Sequence, residues 1–137
     1  AEAKVVISED LARRYHPIGF LKEVEIRDAF EVSELVISRA GSGSIFEIAA
    51  LQKPSILIPL SSSAQDHQLK NAYAYAQTKA AIVMEEANLT PRFFLEKIKY
   101  LFANPEEMAK MSQRAKEFSR PDSAKIIAGY IIKALTK

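Results

Sequence analysis

A run of small residues offers the first candidate site for chemistry. Gly41, Ser42, Gly43 and Ser44 follow an apolar, strand-like run and open a predicted helix. Backbone N–H groups at a helix start lack acceptors, and the helix dipole favours an anion there. Glycine also allows a tight turn and close approach of the backbone to a ligand. The segment predicts a diphosphate site, although a plain strand-to-helix turn has the same composition.

Glu47 follows this run and has two competing roles. Ser44 and Glu47 have the spacing of a capping box, in which the glutamate would bond the backbone of the N-cap residue and never touch a ligand. Alternatively, the carboxylate accepts hydrogen bonds from the two vicinal hydroxyls of a ribose. The local pattern alone favours the capping box.

A second polar group lies at the start of another predicted helix, after a second apolar run. It consists of Asp66, His67, Gln68 and Asn71. An amide such as Gln68 can both donate to and accept from sugar hydroxyls, and His67 can hydrogen-bond a sugar or a phosphate. The alternative is a helix cap followed by a solvated helix face.

Arg39 ends the first apolar run, so it is placed to face a phosphate. It is equally suited to pair with Glu34 or with Glu47, and the sequence leaves these three roles open.

Alternating strands and helices must position these residues. Apolar, β-branched runs predict strands at residues 5–8, 34–38, 56–58 and 81–84, and helices are predicted at 9–15, 42–52 and 66–79 and from 26 onward. This alternation predicts a Rossmann-like α/β fold, with a parallel sheet of about four strands and helices on both faces. Thr90-Pro91 and Asn104-Pro105 have the form of helix starts, so the C-terminal third is predicted to be helical.

Composition narrows the possible functions. The chain has 137 residues, which suits one domain or one lobe, and it has no cysteine, which excludes disulfides and thiolate chemistry. A net charge of +2 without a long basic run does not indicate nucleic acid as a partner. The two histidines, His16 and His67, have no second ligand at a recognisable metal spacing, so no metal site is predicted.

Together these residues resemble the C-terminal, donor-binding lobe of the MurG-like UDP-N-acetylglucosamine transferases, a family of GT-B glycosyltransferases. The resemblance spans about residues 18–137. It depends on three sequence motifs in this order: Ser38-Arg39-Ala40-Gly41 with Glu47-Ile48-Ala49, the Lys53-Pro54 break, and Asp66-His67-Gln68 with Asn71-Ala72.

The resemblance implies a role for each matching residue. Glu47 would hold the ribose hydroxyls, which reverses the local preference for a capping box, and Gly43 and Ser44 would meet the diphosphate. His67 and Gln68 would contact the hydroxyls of N-acetylglucosamine (GlcNAc), and Leu21 would contact uracil through its backbone. Supporting roles are implied for five further residues: Arg39, Gly41, Ser42, Asp66 and Asn71.

The resemblance also implies an activity. UDP-GlcNAc would be the donor in an inverting transfer to a lipid-linked acceptor, lipid I to lipid II of peptidoglycan synthesis, with no cofactor or metal. The chain would form a single donor lobe over residues 1–137 that lacks its first strand and a glycine-rich loop, and alone it would not catalyse transfer. An N-terminal acceptor lobe or a partner chain would complete the enzyme. The implied location is cytoplasmic, with peripheral attachment to the inner face of the cell membrane as an alternative.

Two alternatives remain open at this point. One is the UDP-sugar-binding subunit of a two-subunit transferase, which would bind a membrane partner. The other is a non-catalytic α/β binding or scaffold module, in which Glu47 only caps its helix.

Overall fold

The computed structural model describes residues 9–61 and 66–136 of the chain. The strands are β1 (Val36–Ser38), β2 (Ser55–Leu57) and β3 (Ala81–Val83). The helices are α1 (Glu9–Arg14), α2 (Glu23–Val32), α3 (Ser42–Ala50), α4 (His67–Ala76), α5 (Pro91–Ala103), α6 (Pro105–Phe118) and α7 (Ser123–Leu135), and a short 3-10 turn covers Glu86–Asn88. The strand predicted at residues 5–8 lies outside the described residues.

The described strands form one parallel sheet in the order β1-β2-β3. About four strands were expected, and the described part of the chain forms three. Ser38 is in register with Leu57, and Leu57 with Val83, so the three strands end level with one another. Whatever follows each strand therefore meets at a single edge of the sheet, where open α/β sheets bind their ligands.

Helices cover both faces of this sheet, as predicted. Ile56 and Leu57 are fully buried neighbours on β2, so their side chains point to opposite faces. Leu57 belongs to a core formed with α3 and α4, which contribute Ile48 and Tyr75 among others. Ile56 belongs to the opposite core, which includes Leu101 of α5. This double burial explains why β2 is a continuous apolar run in sequence.

Three helices form the C-terminal third, in agreement with the prediction. Thr90 caps α5 by accepting a hydrogen bond from the Phe93 N–H (3.2 Å), with Pro91 at the first helical position. The last helix, α7, exposes its large apolar side chains, from Ile126 (55% exposed) to Leu135 (80% exposed). In the described part of the chain, no helix has the length and hydropathy needed to cross a bilayer.

Candidate functional site

The start of α3 leaves several backbone N–H groups without intrahelical acceptors. Gly41 is the N-cap residue, with an extended backbone (φ −65°, ψ 143°). The first hydrogen bond of the helix runs from the Ile45 N–H to the Gly41 carbonyl (3.0 Å). The N–H groups of residues 42–44 consequently point out of the helix end, where the dipole favours negative charge.

The backbone conformation at this helix start does not require glycine. Among the described residues no glycine has a positive φ, so Gly41 and Gly43 make no turn that other residues could not make. A Cβ placed on Gly43 would meet nothing within 4 Å. The predicted tight turn is therefore not what glycine provides here, and the open space above Gly43 leaves room for close approach by another molecule.

Glu47 does not form the capping box that its spacing from Ser44 suggested. The helix begins at Ser42, so Ser44 and Glu47 both lie inside it and neither occupies the N-cap position. Within the described part of the chain, the exposed Glu47 carboxylate has no hydrogen-bond or ion-pair partner. Glu47 lies four residues after Gly43, which places both on one side of α3. The carboxylate is thus available beside the open helix start.

Glu47 lines a groove of about 570 Å³ between α3 and the segment that leads into α2. Leu21 and Phe30 line the same groove, together with Ala50 at the end of α3 and Leu51 directly after it. The turn beside Leu21 is fixed because the Lys22 N–H donates to Glu25 Oε2 (2.7 Å). The structure therefore brings Leu21 and Glu47 together, although they are far apart in sequence.

Glu47 also lines a second hollow, of about 470 Å³. It is lined by Phe46 and Ala50 of α3 and by Arg120 and Ser123 near the start of α7. Glu47 therefore lines two concave surfaces, and each also carries cationic side chains, Lys22 and Arg27 in the first and Arg120 in the second.

The start of α4 lies beyond the end of β2, next to α3. Asp66 precedes the helix with a left-handed backbone (φ 56°) and makes no side-chain cap bond, and His67 is exposed. Asn71 Nδ2 donates to the Ala40 carbonyl (3.4 Å), which ties α4 to the loop before α3. Gln68 Oε1 accepts a hydrogen bond from the Leu60 N–H (3.0 Å), so Gln68 also fixes the loop that follows β2.

Arg39 pairs with a residue that the sequence analysis did not single out. Its Nη1 lies 2.6 Å from Glu86 Oε1, so among the described residues Arg39 takes neither Glu34 nor Glu47, the two partners that the sequence had left open, as its ion-pair partner. Arg39 Nη1 also donates to the Ile58 carbonyl (3.2 Å). The Glu86 Oε2 accepts from the N–H (3.2 Å) and the hydroxyl (2.7 Å) of Ser61. One carboxylate therefore joins residues that follow all three strands.

These contacts change the acidity of Glu86. Hydrogen bonds from the Ser61 hydroxyl, from Arg39 and from the Ser61 N–H lower its pKa from 4.5 to about 2. The neighbouring Glu85 accepts a hydrogen bond from the Tyr73 hydroxyl, which raises the pKa of Tyr73. The sequence feature that could have pointed to Glu86 is the pair of consecutive acids, Glu85 and Glu86, after β3. Parallel strands that end level bring together the residues that follow them, so an acid at this position can reach the residues after β1 and β2.

Among residues 9–61 and 66–136, no three histidine, cysteine or acidic side chains are grouped closely enough to hold a metal ion.

The parallel sheet with a helical layer on each face makes this an α/β domain. A family model described as the glycosyltransferase family 28 C-terminal domain matches residues 2–127. The chain therefore belongs to that family, as the sequence resemblance indicated.

Individual relatives agree with this assignment. Three are named UDP-N-acetylglucosamine–N-acetylmuramyl-(pentapeptide) pyrophosphoryl-undecaprenol N-acetylglucosamine transferase. The protein of Bacteroides fragilis is 39% identical over 83% of the chain and 29% of its own length. That of Microcystis aeruginosa is 40% identical over 70% of the chain and 27% of its own length. That of Anaeromyxobacter sp. (strain K) is 32% identical over 88% of the chain and 33% of its own length.

A solved structure supports the fold. The crystal structure of Acinetobacter baumannii MurG superposes with a TM-score of 0.74 at 24% sequence identity, over 85% of this chain and 33% of that chain. The present chain thus spans about a third or less of the length of these relatives.

Proposed function

We propose that this chain binds UDP-GlcNAc as the donor lobe of an inverting N-acetylglucosaminyltransferase. The observation that carries the proposal is that Leu21 and the Glu47 carboxylate, which has no partner among the described residues, line one groove. Gly43, in the first turn of α3, lies one helical turn before Glu47. Such a groove suits a nucleoside diphosphate, with the uracil at Leu21, the ribose hydroxyls at Glu47 and the diphosphate at the N–H groups of Gly43 and Ser44.

The sugar would lie toward α4, the next helix at the same edge of the sheet. His67 is exposed there, and the side chain of Gln68 is fixed through Leu60. Asn71 would support the site indirectly, because it holds α4 against the loop that contains Ala40. In this proposal the nucleotide and sugar subsites lie at the starts of α3 and α4, which follow neighbouring strands of the parallel sheet.

The proposed reaction is a direct displacement at the anomeric carbon. The acceptor hydroxyl oxygen forms the new bond to C1, the bond from C1 to the diphosphate oxygen breaks, and UDP leaves with the electron pair. This chain would stabilise the charge that develops on UDP through backbone N–H groups and the α3 dipole. The acceptor and the base that takes its proton belong to an N-terminal lobe or a partner chain.

The names of the relatives support a lipid-linked acceptor and a role in peptidoglycan synthesis. An undecaprenol-linked acceptor is held in a membrane, so the proposed place of action is the cytoplasmic face of the cell membrane. In this reading, residues 1–137 form one donor lobe that works together with an acceptor lobe.

Calorimetric titration of the folded chain with UDP and UDP-GlcNAc tests the proposal. Saturable binding of both ligands, abolished or strongly weakened by Glu47→Ala, is the expected result. Titrations without heat from either ligand, by a chain whose circular dichroism shows it folded, would contradict the proposal.

A further inference from the structure

Glu86 lies at the strand ends and has no role in the binding of UDP-GlcNAc proposed above. Both of its carboxylate oxygens have partners. Oε1 lies 2.6 Å from Arg39 Nη1, and Oε2 accepts hydrogen bonds from the N–H and the hydroxyl of Ser61. The side chain is 30% exposed, so these contacts are partly protected from water. Charge-assisted bonds of this kind hold their partners in a defined geometry.

The partners of Glu86 lead directly to a residue proposed to contact the sugar. Ser61 is bonded to Glu86, and its neighbour Leu60 donates its N–H to Gln68 Oε1 (3.0 Å). Arg39, on the other oxygen, also donates to the Ile58 carbonyl (3.2 Å). Glu86 therefore holds Ser61 directly and Ile58 through Arg39, the two ends of the segment whose Leu60 N–H is hydrogen-bonded to the Gln68 side chain.

We propose that Glu86 is a positioning residue for the sugar subsite, acting through Ser61 and Leu60 on Gln68. This inference rests on the proposed function, since it assigns a role within the same donor site. Glu86 would not touch the nucleotide. It would set the position of residues 58–61, and so affect binding of the sugar more than binding of UDP.

The alternative is a cross-link that only stabilises the sheet. A purely stabilising contact would change the melting temperature and leave the relative affinities for UDP and UDP-GlcNAc unchanged. The two roles can therefore be separated by comparing ligands within one variant.

The experiment measures UDP and UDP-GlcNAc affinities by calorimetry for the wild-type chain, Glu86→Ala and Glu86→Gln. We expect Glu86→Ala to weaken UDP-GlcNAc about tenfold, the size of one misplaced hydrogen bond, and UDP less than twofold. Glu86→Gln keeps an acceptor for Ser61, so it should recover part of the loss.

Two further variants complete the design. Glu107→Ala breaks another Arg–Glu contact, with Arg114 on α6 (3.5 Å), and should leave both affinities unchanged. Ser61→Ala removes only the hydroxyl bond to Glu86 and should show the same preference for weakening UDP-GlcNAc. It carries the test if Glu86→Ala does not fold.

Equal losses for UDP and UDP-GlcNAc, or no loss in either, would overturn the positioning role while leaving the proposed function intact. Failure of the folded wild-type chain to bind either ligand would overturn the proposed function and this inference with it.

Discussion

The guanidinium of Arg39 lies 2.6 Å from the carboxylate of Glu86 and joins the residue after β1 to the turn after β3. The same carboxylate bonds Ser61, which follows β2. The edge of the sheet that carries the candidate site is therefore cross-linked by side chains beyond the last backbone bonds of the strands.

This cross-link predicts how stability depends on pH. The pKa of Glu86 is lowered from 4.5 to about 2, so the folded state holds this proton less tightly than the unfolded state. The contribution to stability is complete above about pH 4.5 and is lost as the pH falls toward 2. Urea unfolding should show a higher midpoint for wild type than for Glu86→Gln at pH 7, with the difference shrinking toward pH 2. A difference that is constant over this range would exclude Glu86 as its source.

Glu47 should matter for binding and not for folding. Its carboxylate is exposed and has no partner among the described residues, so Glu47→Gln should leave the urea midpoint unchanged. Loss of charged acceptors for two ribose hydroxyls should weaken UDP by at least about tenfold. Glu106→Gln, an exposed acid on α6 outside the groove, is the matched control. Wild-type affinity in Glu47→Gln would remove Glu47 from the ribose subsite.

Gly43→Ala should raise the free energy of unfolding and lower the affinity for UDP. An added methyl group meets no protein atom within 4 Å, and alanine favours a helix over glycine, so unfolding should cost about 0.5 kcal/mol more. The same methyl group would lie over the N–H groups proposed to hold the diphosphate, so UDP affinity should fall. Gly129→Ala in α7, also without neighbours at its Cβ, should gain stability without losing affinity. Undiminished binding by Gly43→Ala would contradict the proposed diphosphate position.

Tyr75→Phe should stabilise the protein. Tyr75 is 1% exposed, its hydroxyl has no hydrogen-bond partner in the part of the chain that the structure describes, and burial raises its pKa to about 12. Phenylalanine keeps the edge contact with Phe118 (4.9 Å between ring centroids) and removes an unsatisfied polar atom. The free energy of unfolding should rise by about 1 kcal/mol. Destabilisation in chemical unfolding would show that the hydroxyl is satisfied in the folded protein.

Much of the fold could be predicted from local sequence signals. Pro91 and Pro105 start α5 and α6 as expected, because proline lacks the N–H that a first helical residue does not need. The run at Ile56 predicted a strand buried on both faces, and the sheet confirms it. These features depend on neighbours in sequence, which is why they could be predicted.

The site depends on residues that are distant in sequence, and here local patterns fell short. The spacing of Ser44 and Glu47 suggested a capping box, but α3 begins at Ser42, the start predicted for this helix, so Ser44 lies inside it and is not its N-cap. The partner of Arg39 is Glu86, which only the alignment of strand ends brings within reach. Leu21 and Glu47 likewise line one groove only because α2 and the residues before it pack on α3.

The proposed nucleotide-sugar site is tested most directly by nuclear magnetic resonance, which maps the binding of UDP and UDP-GlcNAc onto the backbone amides of the folded chain. We expect UDP to shift the amide resonances of Leu21, Gly43 and Ser44, and UDP-GlcNAc to shift those of His67 and Gln68 as well. Glu47→Gln should reduce the response to both ligands at equal concentration. Shifts confined to other surfaces, or none at saturating ligand, would contradict the assignment of this edge of the sheet as a nucleotide-sugar site.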